Sequence, residues 1–264
     1  YLSLTYVAGE NTFFRGLKKL LPGRYLIWQD GKLEIHRYWK PEFHPDESKT
    51  LEDWADEIHN TLKEIMPEVK TADERVESFL SGGVDSSYVL AMSDAEQADC
   101  CGYEEERFDE SVLAEKTAQL LGRKFSRSII TPEQFFDIVP YVMYNMEQPL
   151  GDASAIVFTL GCNATAEHTK ICYSGEGSDE FFGGYNMYRN AERYGENLKN
   201  FYVGNTNIMK EDEKQKILKK YDPDVLPIEL ARGIYEETEG LDPLTKMSDV
   251  DIPVSYTHLT LPTK

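Results

Sequence analysis

The stretch Ser81-Gly82-Gly83-Val84-Asp85-Ser86-Ser87, SGGVDSS, decides how this chain is read. It follows the strand candidate Val76–Leu80 and sits where a strand hands over to a helix. Two adjacent glycines let the backbone turn tightly and approach a ligand with no Cβ in the way. The amides of such a loop, with the N-terminus of the helix that follows, form a cradle for an anion. Ser81, Ser86 and Ser87 add hydroxyl donors. Asp85 is out of keeping with a bare anion, because a carboxylate repels a phosphate. A Mg²⁺ between the two resolves the conflict, since that hard ion prefers carboxylate and phosphate oxygens. At ordinary residue usage, six fixed letters of this kind arise by chance roughly once in 10⁷ windows. The string is not a GxxxxGK[ST] loop, and no lysine follows its glycines.

Outward from this loop, short apolar segments alternate with amphipathic ones. Val76–Leu80, Cys100–Tyr103, Ser126–Ile130 and Lys170–Tyr173 are strand candidates. A helix is predicted over Asp109–Leu121, with Asp109 as acidic N-cap, a stripe of Val112, Ala118 and Leu121, and Gly122 as its stop. This rhythm predicts an α/β fold built on a parallel, doubly wound sheet flanked by helices. Upstream, Leu51, Ala55, Ile58, Leu62 and Ile65 follow a helical stripe that stops before Pro67, and residues 41–50 read as a linker. The first 40 residues read as a β-meander of LTYVA, GRYLIWQ and KLEIHRYW, with Pro22-Gly23 and Asp30-Gly31 as turns. Beyond Gly204 the chain is charged and helical, with no chemistry to assign. Residues 254–264, VSYTHLTLPTK, break the pattern and read as an adapter-derived tail, which leaves His258 without functional weight.

Composition narrows the function classes. The 264 residues include 41% hydrophobic ones, among them 12 Phe, 16 Tyr and 3 Trp, which is material for a core rather than a disordered chain. Lys and Arg number 28 against 47 Asp and Glu, a net charge of −19. Such a chain is poorly suited to a nucleic-acid backbone or an anionic membrane. Its densest basic group, Lys214 to Lys220, alternates with apolar residues like a solvated helix face. Cys100, Cys101, Cys162 and Cys172 show no CxxC spacing and read as buried thiols in a reducing cytoplasm. No apolar run approaches the ~20 residues of a membrane span.

A second string, SGEGSDEFFGGY from Ser174 to Tyr185, follows the last strand candidate and therefore also sits at a strand's carboxyl end, where open parallel sheets bind ligands. Glu176, Asp179 and Glu180 lie within five residues of one another among its glycines. Between the two strings lies EQPLGDASA, residues 147–155.

SGGVDSS resembles the pyrophosphate-binding loop of the N-type ATP pyrophosphatases, the adenine nucleotide α-hydrolase-like fold. With FDESVLAEKTAQLLG, EQPLGDASA and SGEGSDEFFGGY in that order, the chain resembles the synthetase domain of the glutamine-hydrolysing asparagine synthetase family. TFFRGLKKLLPGRYLI and KLEIHRYW are similar to the closing strands of that family's glutaminase domain. The resemblance covers about residues 1–252. It implies three segments: residues 1–40 as a β-rich glutaminase remnant, 41–50 as linker, and 51–252 as a truncated synthetase domain. The glutaminase nucleophile and a C-terminal catalytic lysine would lie outside this chain, so the piece itself is expected to be inactive.

The implied reaction joins aspartate and ATP as β-aspartyl-AMP with release of pyrophosphate, and glutamine-derived ammonia then displaces AMP to give asparagine. Ser81, Gly82, Gly83, Ser86 and Ser87 would hold pyrophosphate, and Asp85 and Asp179 the Mg²⁺ that neutralises it. Leu80 and Cys101 match positions that pack on adenine, and Ser174 and Gly175 match positions that touch ribose or adenine. Glu176 matches the acid that takes a proton from the attacking ammonia, and Asp152 falls near the site. The resemblance further implies a cytoplasmic enzyme, a homodimer at full length, and small-molecule partners only. An amidotransferase acting on another carboxylate is the alternative within the enzyme class, and a fragment too short to be active is the non-enzymatic one. A nucleic-acid-modifying pyrophosphatase is disfavoured by the acidic charge.

Overall fold

A computed structural model describes residues 1–69, 75–204 and 208–258, the side chains of 253–258 excepted. The chain divides into two compact units, Tyr1–Phe43 with Met143–Asp152 and Gly177–Lys264, and His44–Val142 with Ala153–Glu176.

Asp30-Gly31 does what its sequence requires. Both residues take positive φ, 51° and 73°, the pattern of a two-residue primed turn, and β1 (Arg24–Gln29) pairs antiparallel with β2 (Lys32–Arg37) around it. The third expected strand, LTYVA, is absent. Thr5 adopts φ 63°, and the amides of Leu4 and Thr5 both donate to the carbonyl of Tyr1, so the segment is a turn that buries Leu4 and Tyr6. The meander is therefore a lone hairpin. Its apolar side chains are exposed on both faces, Leu26 and Trp28 with their partners Ile35 and Leu33 on one and Tyr25 and Ile27 on the other.

In the second unit α1 (Leu51–Ile65) begins at a capping box, Thr50 Oγ1 accepting from the Asp53 amide and the Asp53 carboxylate from the Thr50 amide. It ends where Pro67 predicts, but only Ile58 and Leu62 of its expected stripe are half-buried. β3 (Val76–Phe79), α2 (Val84–Met92), β4 (Gln97–Tyr103), α3 (Ser111–Leu120), β5 (Lys124–Ile130), α4 (Pro132–Asn145), α5 (Ala153–Thr165) and β6 (Ile171–Tyr173) follow in order. The four strands form one all-parallel sheet in the order β5-β4-β3-β6. A helix that crosses back over the sheet between two strands lets the next strand enter in the same direction, and this produces the expected α/β sheet.

Side chains alternate between its faces. Val76, Leu80, Ala98 and Cys100 pack with Leu90 of α2 and with Ala114 and Ala118 of α3. On the other face Phe79 and Cys101 meet α5, whose Gly161 lies so close that a Cβ there would stand 2.9 Å from the Cys101 sulfur. Helices thus cover both faces. The buried face of α3 is Ser111, Ala114 and Ala118, and Val112, expected in its stripe, is exposed because it lies about 200° around the helix from Ala114.

In the first unit α6 (Ser178–Phe182), α7 (Ala191–Tyr194), α8 (Glu211–Ile217), α9 (Arg232–Glu237) and α10 (Pro243–His258) complete the chain. Tyr188, Leu198, Tyr202, Met247 and Val250 form its core. The buried Asp251 carboxylate there accepts from the hydroxyls of Tyr188, at 2.6 Å, and Tyr202, and with burial this pushes both phenols upward. Lys214 is buried against Glu211, which corrects the reading of that basic segment as a solvated face; Lys216 does face solvent. Residues 254–258 of the expected tail are the end of α10, and 259–264 lie outside the described residues.

Candidate functional site

The chain runs from β3 outward through β4 to β5 and then returns to place β6 on the other side of β3. Between β3 and β6 the winding reverses, and the carboxyl ends of two such strands leave a crevice where parallel sheets bind ligands. Both motifs issue from these two strand ends.

After β3 the chain folds back on itself. Leu80 donates its amide to the Asp99 carbonyl and buries its side chain in the core, 1% exposed. Gly82 then takes φ +83°, which a side chain would strain, and leaves no room for one: an added Cβ would stand 2.9 Å from the Ala114 amide nitrogen. The Ser86 hydroxyl accepts from the Ser81 amide at 3.2 Å and lies 3.0 Å from the Ser81 hydroxyl, which in turn accepts from the Gly83 amide at 3.3 Å. Gly83 is the N-cap of α2, and no side chain caps the helix there. The helix's first internal bond is from Ser87 to the Gly83 carbonyl at 3.1 Å, which leaves the amides of its opening turn for an outside acceptor.

After β6, Ser174 Oγ accepts from the Glu176 amide at 3.1 Å and turns the chain. Gly175 lies directly against the start of α2. A Cβ at that position would be 2.8 Å from the Ser86 nitrogen and 3.1 Å from the Asp85 Cβ. The two motifs are therefore in contact, with Asp85 and Glu176 both exposed beside that contact. The constellation offers amides, hydroxyls and carboxylates around a narrow backbone cleft, which is chemistry for a phosphate chain and its counter-ion.

The Cys101 sulfur faces α5 near the Val157 carbonyl, and burial pushes its thiol up to about 11. Burial also raises Cys100, to about 12, and Cys172, and all four cysteines are free. Asp152 and Asp179 belong to the first unit. Asp179 lies against Gly184, where no Cβ would fit, and its carbonyl accepts from the Gly184 amide at 3.0 Å. Glu180 is buried and accepts from the Tyr185 hydroxyl at 2.8 Å.

Among the described residues no group of three or more His, Cys, Asp or Glu is arranged to hold a metal. A preformed cage is not what Mg²⁺ asks for, since it is commonly held by one or two carboxylates together with substrate phosphates. Asp85 beside the cradle fits an ion delivered on a nucleotide. A cavity of about 490 Å³ opens at the ends of β4 and β5, among Tyr103, Phe108, Ile130 and Phe135, and contains none of the motif residues.

Sequence reading missed Asp109 and Arg127 as parts of this region. Asp109 shows in the sequence as a helix cap, and Ser111 is its local partner, but Tyr103 and Arg127 come from β4 and β5 and carry no local signal.

The asparagine synthase family model matches residues 57–251. The chain belongs to the asparagine synthase family. It is 28% identical over 294 aligned positions to asparagine synthetase (glutamine-hydrolyzing) 1 of Bacillus subtilis strain 168, covering 96% of this chain and 46% of that protein. Amidase chry2 of Gibberella zeae is 32% identical over 205 positions, covering 68% of this chain and 30% of that protein. This member of the asparagine synthase family thus spans about half the length of the bacterial synthetase it matches. Among solved structures an ammonia-dependent NAD synthetase from Campylobacter jejuni aligns with 79% of this chain and 98% of its own, at 17% identity and a TM-score of 0.38, too low a score to carry an argument. No helix among the described residues is long and apolar enough to cross a membrane.

Proposed function

We propose that this chain carries the ATP-using half of a glutamine-hydrolysing asparagine synthetase. The observation that carries the reading is the packing of Gly175 on the first turn of α2, which sets the SGEG turn beside the SGGVDSS cradle at the point where the sheet reverses.

In this reading the side-chain carboxylate of aspartate attacks the α-phosphorus of ATP. The bond to the β-phosphate oxygen breaks, and pyrophosphate departs into the cradle of Ser81, Gly82, Gly83, Ser86 and Ser87. Oriented amides at a helix start stabilise the charge that gathers on this leaving group. Asp85, beside the cradle, would hold the Mg²⁺ of the MgATP substrate, which would neutralise charge on the departing pyrophosphate. A bare carboxylate is too electron-rich for attack by an amine, and the resulting acyl adenylate removes that obstacle. Ammonia, released from glutamine by a glutaminase domain, attacks the acyl carbon, Glu176 takes a proton, and AMP leaves as asparagine forms. Ser174 and Gly175 border the nucleoside, with the ends of β3 and β4 near adenine.

A hairpin with apolar side chains on both faces supports the further reading that β1 and β2 belong to a larger β-rich glutaminase domain. A second reading keeps the same ATP chemistry with a different acceptor carboxylate.

The test is ATP–pyrophosphate exchange by the full-length protein. Exchange that depends on Mg²⁺ and aspartate, is lost in Asp85→Asn, and leaves glutamine hydrolysis intact is the expected outcome. Exchange with another carboxylate but not with aspartate supports the second reading, and its absence with every carboxylate rejects both.

A further inference from the structure

Gly82 cannot move without α3. Its backbone is pressed against Leu113 and Ala114, so that an added Cβ would lie 2.9 Å from both the Ala114 nitrogen and the Leu113 side chain. Whatever fixes the first turn of α3 therefore fixes the cradle loop. Besides its own backbone bonds from Leu113 and Ala114 to the Glu110 carbonyl, that turn is anchored by one carboxylate. Asp109 accepts from the Ser111 amide at 3.2 Å, the Ser111 hydroxyl at 2.9 Å and the Tyr103 amide at 3.4 Å, and its Oδ2 lies 2.7 Å from Arg127 Nη2 of β5. The same guanidinium reaches the Tyr103 carbonyl at 3.4 Å. Gly102 makes this possible, since a Cβ there would stand 2.7 Å from Arg127 Nε and 2.9 Å from Asp109 Oδ1.

The Asp109 side chain is 7% exposed and Ser111 is buried, so the pair is shielded on the carboxylate side, and the hydrogen bonds and the guanidinium together hold the acid well below the usual carboxylate range. The N-cap position of α3 is Glu110 and not the expected Asp109; the Glu110 side chain caps nothing, and Asp109, one residue earlier, takes the Ser111 amide in its place. Asp109 also joins the end of β4 and the middle of β5 to the start of α3.

We propose that Asp109, backed by Arg127, is a positioning residue for the cradle: through Ser111 and the first turn of α3 it holds Gly82 in the left-handed conformation that shapes the Ser81–Gly83 loop. Its consequence for nucleotide binding rests on the function proposed above. The effect on the loop does not.

The experiment is hydrogen exchange on the full chain, with and without MgATP, for wild type, Asp109→Asn, Arg127→Gln and the double variant. Asp109→Asn keeps the shape of the side chain, and Arg127→Gln alters a residue at the surface, so at least one folded variant is secured. The expected result is faster exchange at residues 81–87 and 111–114 in both single variants, with β3 and β6 exchanging as in wild type. MgATP affinity falls by roughly 10- to 100-fold, the scale that a small misplacement of a binding group costs. The double variant is no worse than either single one, because the two residues act as a unit. Wild-type exchange in the loop of either single variant, or faster exchange spread evenly over the whole sheet, overturns the proposal. If MgATP fails to protect the wild-type loop while the variants still loosen it, the positioning role stands and the nucleotide reading falls.

Discussion

The smallest unit of the proposed chemistry is one carboxylate beside another strand's helix. Glu176 follows the glycine that touches Asp85 and Ser86, and its exposure leaves it open to a substrate. If it removes a proton from the attacking nitrogen, Glu176→Gln keeps the shape and one acceptor oxygen but cannot take that proton. Pyrophosphate release by the full-length variant then continues while asparagine formation falls by roughly 10²–10⁴, the usual worth of a general base. Separate counts of pyrophosphate and asparagine check this. Wild-type asparagine output removes Glu176 from the mechanism, and joint loss of both products with a native melting curve moves it to adenylation. Glu77 shows the opposite use of a carboxyl group. It is buried on β3 in front of Asp99, with Arg75 2.8 Å away, and burial together with the second acid pushes it upward, toward the neutral form.

At the scale of elements, the site depends on how closely α2 can be approached. Gly175→Ala places a methyl group 2.8 Å from the Ser86 nitrogen, where backbone and not a flexible side chain must yield. The SGEG turn is then forced away from the start of α2. Overpacking of this kind costs about 1–3 kcal/mol in stability. The loss in MgATP affinity is expected to exceed what partial unfolding explains, and titration calorimetry beside a denaturant midpoint separates the two. Affinity equal to wild type would show that the contact is incidental. Periodicity located these elements well, because short strand-length segments alternate with helical ones and Pro67 and Gly122 stop their helices, although β5 is only partly buried and carries Lys124 and Arg127. It failed at LTYVA, whose alternation is that of a strand but whose Thr5 turns left-handed, since the amides of Leu4 and Thr5 bond to Tyr1 and not to a neighbouring strand.

Over the whole molecule, the acidic excess of 19 charges has a local counterpart. Asp249 of α10 is pushed up to about 6 by burial and by Glu237 of α9, against the opposing pull of Arg37 and Lys40. Arg37 and Lys40 also pair with Glu237, tying the hairpin end to α9. A folded-state value above the unfolded one means that this contribution to stability is full below about pH 4 and is lost as pH rises through about 6. Asp249→Asn removes the loss. The variant is expected to gain on the order of 1–2 kcal/mol over wild type at pH 7.5 and little at pH 4.5, after allowance for solvent screening. Urea midpoints at both values test it, and an equal difference at the two pH values rejects it. By itself the sequence determined what is local: the cradle string, the Asp30-Gly31 hairpin, the strand-helix alternation and the family these imply. Each is written in neighbouring residues, where glycine freedom and side-chain period act directly. Only the tertiary structure decided that Gly175 closes on α2, that Gly82 rests on α3, and that Asp109 holds that helix through Arg127. Those contacts join residues 18 to about 90 positions apart, and a steric fit between distant backbones leaves no period or composition for a sequence to display.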